Sequence, residues 1–257
     1  MGRPRHTDQP ASQAGHRVLK IKWIFGIAGI LALSIIVMSG LLLHENSNSD
    51  AQVTVRKIRT SNDGPLTGTI NDHDWVDLGL PSGLKWATTN VGASTPEDFG
   101  DYFAWGETCP KTVYADTNCI TYRKDFADMT RERIVDQQGD LTKNHDAASS
   151  NWGNSWRMPT DEEFKELIET CKWEFTENDA TTGYLITGPN NQSIFLVAAG
   201  YCIGEKVVDQ EDLGDYWSAT AVKDMNRVSN SLGFSPKSYG RRCYARYRGR
   251  TIRPVTE

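Results

Sequence analysis

Residues 156–171 read WRMPTDEEFKELIETC, and this stretch carries the clearest local signal in the chain. Thr160 followed three residues later by Glu163 has the spacing of a capping box, in which each side chain satisfies the other residue's backbone N–H. Phe164, Leu167, Ile168 and Cys171 then recur at i, i+3, i+4 and i+7, one apolar face of a helix. Pro159 ahead of the cap marks a strand-to-helix turn. The spacing therefore predicts a helix that begins at Asp161 and packs one side against a sheet. A weaker helical pattern lies at 124–137.

On either side of this unit the pattern is one of short strands. Candidates are 75–78, 84–88, 183–186, 193–198, 216–219, 231–234 and 251–255, separated by Gly, Asn, Pro and Asp clusters. The pattern is thus one well-signalled helix and one weaker one among many short strands. Eight Trp, nine Tyr and eight Phe are available to anchor the connecting loops. Each can bury about 150–250 Å², and Trp75, Trp86, Trp105 and Trp156 are read in that role.

The N-terminal part has a different chemistry. Residues 23–43, WIFGIAGILALSIIVMSGLLL, contain no charge. As a helix they would span about 31 Å, the thickness of a hydrocarbon core. Residues 1–22 carry Arg3, Arg5, Arg17, Lys20 and Lys22 against Asp8 alone. The positive-inside rule thus predicts a cytoplasmic tail at 1–22, a transmembrane signal anchor at 23–43 and export of everything after it. A cleaved signal peptide with secretion is the alternative. Its apolar region is usually about 7–15 residues long, and either reading exports the remainder. Residues 44–70 read as a stalk ending in the turn-rich Ser61-Asn62-Asp63-Gly64-Pro65, and 71–257 as a single domain.

Exported chains can keep disulfides. Five cysteines, Cys109, Cys119, Cys171, Cys202 and Cys243, leave at least one unpaired within the chain. Cys109 and Cys119 flank a short loop and form the expected local pair. Zinc-type spacing is absent and no cofactor is expected.

The chain is net acidic, with 28 Lys+Arg against 33 Asp+Glu. That excludes a general nucleic-acid binder, which needs a basic footprint. The charge reverses at the end. Residues 237–257 hold Lys237, Arg241, Arg242, Arg246, Arg248, Arg250 and Arg253 against Glu257. In an extended strand Arg242, Tyr244, Arg246, Arg248 and Arg250 would share one face. Tyr and Arg dominate binding hot spots, and Arg forks suit carboxylates, sulfates and phosphates. Arg242, Tyr244, Arg248 and Arg250 are therefore the predicted ligand-binding residues. A solvated or internally paired strand is the competing reading.

Several strings resemble a known family. They are WVDLGLPSGLKWAT at 75–88, NVGA at 90–93, YFAWGE at 102–107, WRMPT at 156–160, FLVAAGY at 195–201, YWS at 216–218 and RPV at 253–255. In this order they resemble the Fibrobacter succinogenes major paralogous domain family of bacterial surface proteins, over about 71–257. The resemblance implies an α+β, C-type-lectin-like fold: two helices around a mixed, mainly antiparallel sheet, with long loops carrying binding surfaces. It also implies similarity to formylglycine-generating-enzyme domains and to retroelement-diversified variable proteins, in which this C-terminal stretch holds the varied ligand contacts. Arg246 and Arg253 fall where the family has framework arginines. Thr89 stands where relatives often carry Cys.

These readings predict a membrane-anchored extracytoplasmic module that binds a glycan or protein ligand. A structural or assembly protein, a homo-oligomer or adhesin subunit, is the alternative. An enzyme of formylglycine-generating type ranks third, because the run around Cys243 has one Cys where those relatives hold copper with two. Glu97, Asp98, Asp101 and Glu107 are carboxylates of the kind glycoside hydrolysis uses. Asp209-Gln210-Glu211-Asp212 and Asn71-Asp72-His73-Asp74 carry oxygens of the kind calcium uses, without an EF-hand loop. His73 and His145 read as surface residues.

Overall fold

The computed structural model describes residues 66–178 and 181–257. The expected basic tail and the anchor at 23–43 lie outside these residues, as does most of the stalk. No helix among the described residues is long and apolar enough to cross a membrane.

Among the described residues twelve strands form four sheets. The first contains β1 (Thr67–Ile70), β2 (His73–Asp77), β3 (Lys85–Ala87) and β12 (Val255–Thr256), in the order β1-β2-β3-β12. It pairs the beginning of the described region with the end of the chain. Its first strand falls within the stretch read as stalk. The β1–β2 turn is Asn71-Asp72, both at positive φ (49° and 62°), the residue types that accept this conformation most readily after glycine. The second sheet is β4 (Lys172–Asn178), β5 (Thr181–Thr187) and β6 (Ser193–Val197). β7 (Tyr201–Ile203) and β8 (Lys206–Val208) make a small hairpin. The fourth sheet, in the order β11-β10-β9, is built from β9 (Gly214–Ala221), β10 (Val228–Ser235) and β11 (Ser238–Ala245).

The expected class, α+β with a C-type-lectin-like mixed sheet and two helices, is corrected to a β-rich fold; the transmembrane helix expected ahead of it lies outside the described residues. Every ladder between these strands is antiparallel, and parallel pairing is confined to the isolated bridges Gly200–Gly214 and Tyr216–Thr251. Helix among the described residues is limited to α1 (Phe126–Arg131), α2 (Ala147–Trp152), α3 (Asp161–Thr170) and a 3-10 turn at Lys143–His145. The helix expected over 124–137 stops after six residues, where the chain turns to bury apolar side chains. Arg133 takes φ 59°, and the β-branched Ile134 and Val135 drop into the core. Asp136 Oδ1 then collects the N–H groups of Gln138, Gly139 and Asp140 into a turn.

α3 follows its sequence signal. Thr160 Oγ1 accepts from the Glu163 N–H at 3.2 Å, and Glu163 Oε2 accepts from the Thr160 N–H at 2.8 Å. Arg157 forks onto the same Glu163 at 2.8 and 2.6 Å and holds its carboxyl below the usual range against the opposing effect of burial. Phe164 and Leu167 are buried in a cluster with Trp86, Tyr216, Leu232 and Phe234. A second cluster gathers Phe103, Trp105, Trp156 and Trp217. The β9–β10–β11 sheet lies between these clusters: Tyr216 and Leu232 point into one, Trp217 into the other.

All five cysteines are free, the expected Cys109–Cys119 pair included. Cys119 Sγ faces Thr121 Oγ1 at 3.5 Å instead, while Cys109 is exposed. His73 is not a simple surface residue either: it stacks on Trp152 at 3.7 Å between ring centroids. His145 Nδ1 lies 3.0 Å from the Gly106 carbonyl.

Candidate ligand-binding site

The site is built on the face of the β9–β10–β11 sheet that Trp217 shares. Register places Gly233 between Asp215 of β9 and Gly240 of β11, and Ser231 between Trp217 and Arg242. With a period of two, Asp215, Gly233, Gly240, Arg242 and Tyr244 share this face. A Cβ on Gly233 would lie 2.9 Å from Arg242 Cγ, 3.0 Å from Asp215 Oδ1 and 3.2 Å from the Tyr244 hydroxyl oxygen. The bare glycine is what lets these three side chains converge.

The predicted single strand through residue 250 is not what forms. β11 ends at Ala245, where the chain turns because Arg246 enters the interior. Its guanidinium reaches the carbonyls of Val228, Thr121, Lys124 and Met225 at 3.0–3.1 Å, together with Ser229 Oγ and Met129 Sδ. It also lies over the Trp105 ring at 4.9 Å. The following segment is laced into the molecule by short pairings. Gly249 bridges Cys202, Arg250 bridges Phe103, and Thr251 bridges Tyr216. This lacing brings residues 248 and 250 back beside Tyr244 by a loop, not by strand periodicity.

Arg250 is the centre of the arrangement. It was predicted as a surface contact, and this is corrected: its side chain is 0 % exposed. The guanidinium lies 4.0 Å from the Tyr244 ring centroid, 4.7 Å from Trp217 and 5.5 Å from Tyr201. Its Nη2 faces Asp215 Oδ2 at 3.4 Å. Nε, Nη1 and Nη2 of Arg250 and Nε of Arg248 are buried without a hydrogen-bond partner. Burial pulls the Arg250 pKa down to about 10 even though the Asp215 carboxylate supports its charge. Burial also pushes the Asp215 carboxyl up to about 6, against the cations Arg250, Arg248 and Arg242 and the Tyr244 hydroxyl that favour its ionised form.

Arg242 is exposed, while Tyr244 and Arg248 are half-buried. Arg242 Nη1 donates to the carbonyl of its neighbour Arg241 at 3.1 Å, and Arg248 lies over the Tyr201 ring at 5.0 Å. The structure thus brings all four predicted residues together, three at the surface and Arg250 beneath them. Sequence reasoning missed Asp215 and the supporting Tyr201 and Trp217. A signal for Asp215 was present: it is a lone carboxylate within Leu-Gly-Asp-Tyr-Trp at 213–217, and a carboxylate in so apolar a strand requires a cation. Arg253, like Arg246, is satisfied internally, by Asn90 Oδ1 and the carbonyls of Ala87, Thr88 and Phe195.

The remaining candidates lie in other loops. Asp209 and Glu211 occupy positive-φ turn positions (57° and 67°). Asp98 accepts from the Ser94 and Thr95 N–H groups, and Glu107 pairs with Lys111 at 2.7 Å. No group of three or more potential metal ligands occurs among the described residues. Comparison of the chain with protein-family profiles, with curated proteins and with solved structures finds no match.

Proposed function

We propose that this chain is a membrane-anchored extracytoplasmic binding module, which takes a glycan or protein ligand on the surface formed by Arg242, Tyr244 and Arg248. One observation carries the reading: Arg242, Tyr244 and Arg248 lie at the surface above the buried Arg250–Asp215 pair, so that three guanidinium groups act on one carboxylate. The positive charge left unmatched there favours an anionic or strongly hydrogen-bonding ligand. The apolar, charge-free segment at 23–43 and its basic flank support the anchor. The resemblance to a family of bacterial surface proteins supports the outward placement of the domain.

The experiment is an array screen of glycans and proteins with the full chain in detergent, repeated with the triple variant Arg242→Ala, Tyr244→Ala and Arg248→Ala. Ligands captured by the wild type should be lost. Full capture by a folded triple variant would remove this surface as the site. Protease added to spheroplasts should digest the C-terminal domain, and complete protection would reverse the topology.

A further inference from the structure

We infer that the ligand group held at this site is a carboxylate presented by an acidic saccharide, an assignment that rests on the binding-face reading above. Three guanidinium groups, those of Arg242, Arg248 and Arg250, act on Asp215. The cluster therefore carries an excess of two positive charges when Asp215 is ionised. Arg250 is enclosed by aromatic rings and offers its field from below, while Arg242 and Arg248 reach the surface beside Tyr244. A planar guanidinium fork pairs best with a carboxylate, through two parallel N–H···O bonds. The ring-covered Arg250 is pre-organised and keeps its charge in place without solvent reorganisation.

Two features favour a saccharide over an acidic peptide. The same face of the β10–β11 hairpin continues from Arg242 through the pairs Gly233–Gly240 and Ser235–Ser238, with the two serine hydroxyls 3.1 Å apart. This is a shelf of backbone and hydroxyls beside Arg242, and it matches a polyol beside its carboxylate. The remainder of the domain sequence is also net acidic: residues 44–236 contain 16 bases and 31 acids. That net charge disfavours the approach of a polyanionic run of Asp and Glu more than that of an isolated carboxylate among neutral hydroxyls.

Calorimetric titration of the full chain in detergent tests the inference with three probes: an oligosaccharide of uronic acids, its carboxyl-reduced neutral counterpart, and an oligoglutamate peptide. The uronate should bind, with the neutral sugar at least about tenfold weaker, the value of one charged hydrogen bond. Arg242→Gln and Arg248→Gln should each weaken the uronate by a similar factor and leave the neutral sugar unchanged. Arg242→Lys, which keeps the charge and removes the fork, should restore only part of the affinity. Equal binding of acidic and neutral sugars would overturn the carboxylate. Tighter binding of oligoglutamate would overturn the saccharide. If neither acidic probe binds while an array ligand still depends on Arg242, Tyr244 and Arg248, the inference fails and the binding face stands.

Discussion

Arg246 and Arg250 are four residues apart, both fully buried, and both depressed to about 10 by that burial. Their surroundings are opposite. Arg246 is enclosed by carbonyl oxygens from two loops, those of Thr121 and Lys124 and of Met225, by the carbonyl of Val228 at the start of β10, and by Ser229. Arg250 is enclosed by rings, faces one carboxylate at 3.4 Å, and leaves three nitrogens unbonded. The first arrangement uses a cation as a rivet, since each N–H ties down a backbone group that would otherwise be buried and unsatisfied. The second supplies positive charge to a place where the protein has too few acceptors to consume it. Position in the sequence does not separate these roles; the acceptor inventory does.

The largest test of that contrast removes each cation in turn. Arg246→Met removes the guanidinium donors from four carbonyls and should destabilise the fold by about 3–5 kcal/mol, the range for breaking a buried charged network. Arg250→Met removes the ion-pair partner of Asp215 alone, a carboxyl that can take up a proton, and should cost about 1–2 kcal/mol while abolishing ligand capture. Urea unfolding of the two variants checks the order. Equal losses would mean that Arg250 is also a rivet.

A smaller effect is expected from pH. The Asp215 carboxyl is raised to about 6 in the fold by burial, above its unfolded value of about 3.9. The folded state therefore binds this proton more tightly. The stabilisation is complete below about pH 4 and is lost as pH rises through about 6. Relative to Asp215→Asn, the wild type should lose on the order of 2 kcal/mol between pH 4 and 7. Parallel unfolding curves for the two proteins across this range would show that Arg250 already compensates the carboxylate in full.

The contrast was only partly legible in the sequence. Thr160, Glu163 and the apolar spacing through Leu167 specified α3, because capping and helical periodicity are local. Tyr216-Trp217 and the run at 231–234 fell inside β9 and β10 for the same reason. The class of the fold was not legible. Whether 124–137 stays helical depends on Ile134 and Val135 finding the core, which is a tertiary matter. The face from Arg242 to Arg250 was read by strand period, and that period ends at Ala245 because Arg246 finds acceptors more than a hundred residues away at Thr121 and Lys124. The four predicted residues still meet, through the bridges at Cys202, Phe103 and Tyr216, which no local pattern encodes.

The finest test is at Gly233, which contacts the site side chains and none of the carbonyls around Arg246. Its φ is not positive, so alanine is allowed there by the backbone and only space is at issue. The new methyl would sit 2.9 Å from Arg242 Cγ, 3.0 Å from Asp215 Oδ1 and 3.2 Å from the Tyr244 hydroxyl oxygen. Arg242 and Tyr244 lie toward the surface and can yield by a few tenths of an ångström. Gly233→Ala should therefore change stability by less than about 1 kcal/mol, below the usual cost of overpacking a closed core. It should nevertheless weaken ligand binding measurably, because binding through a guanidinium fork depends on the orientation of Arg242. A loss of stability as large as that of Arg250→Met would show that the cluster is rigid packing; unchanged binding would show that the convergence at Gly233 has no part in recognition.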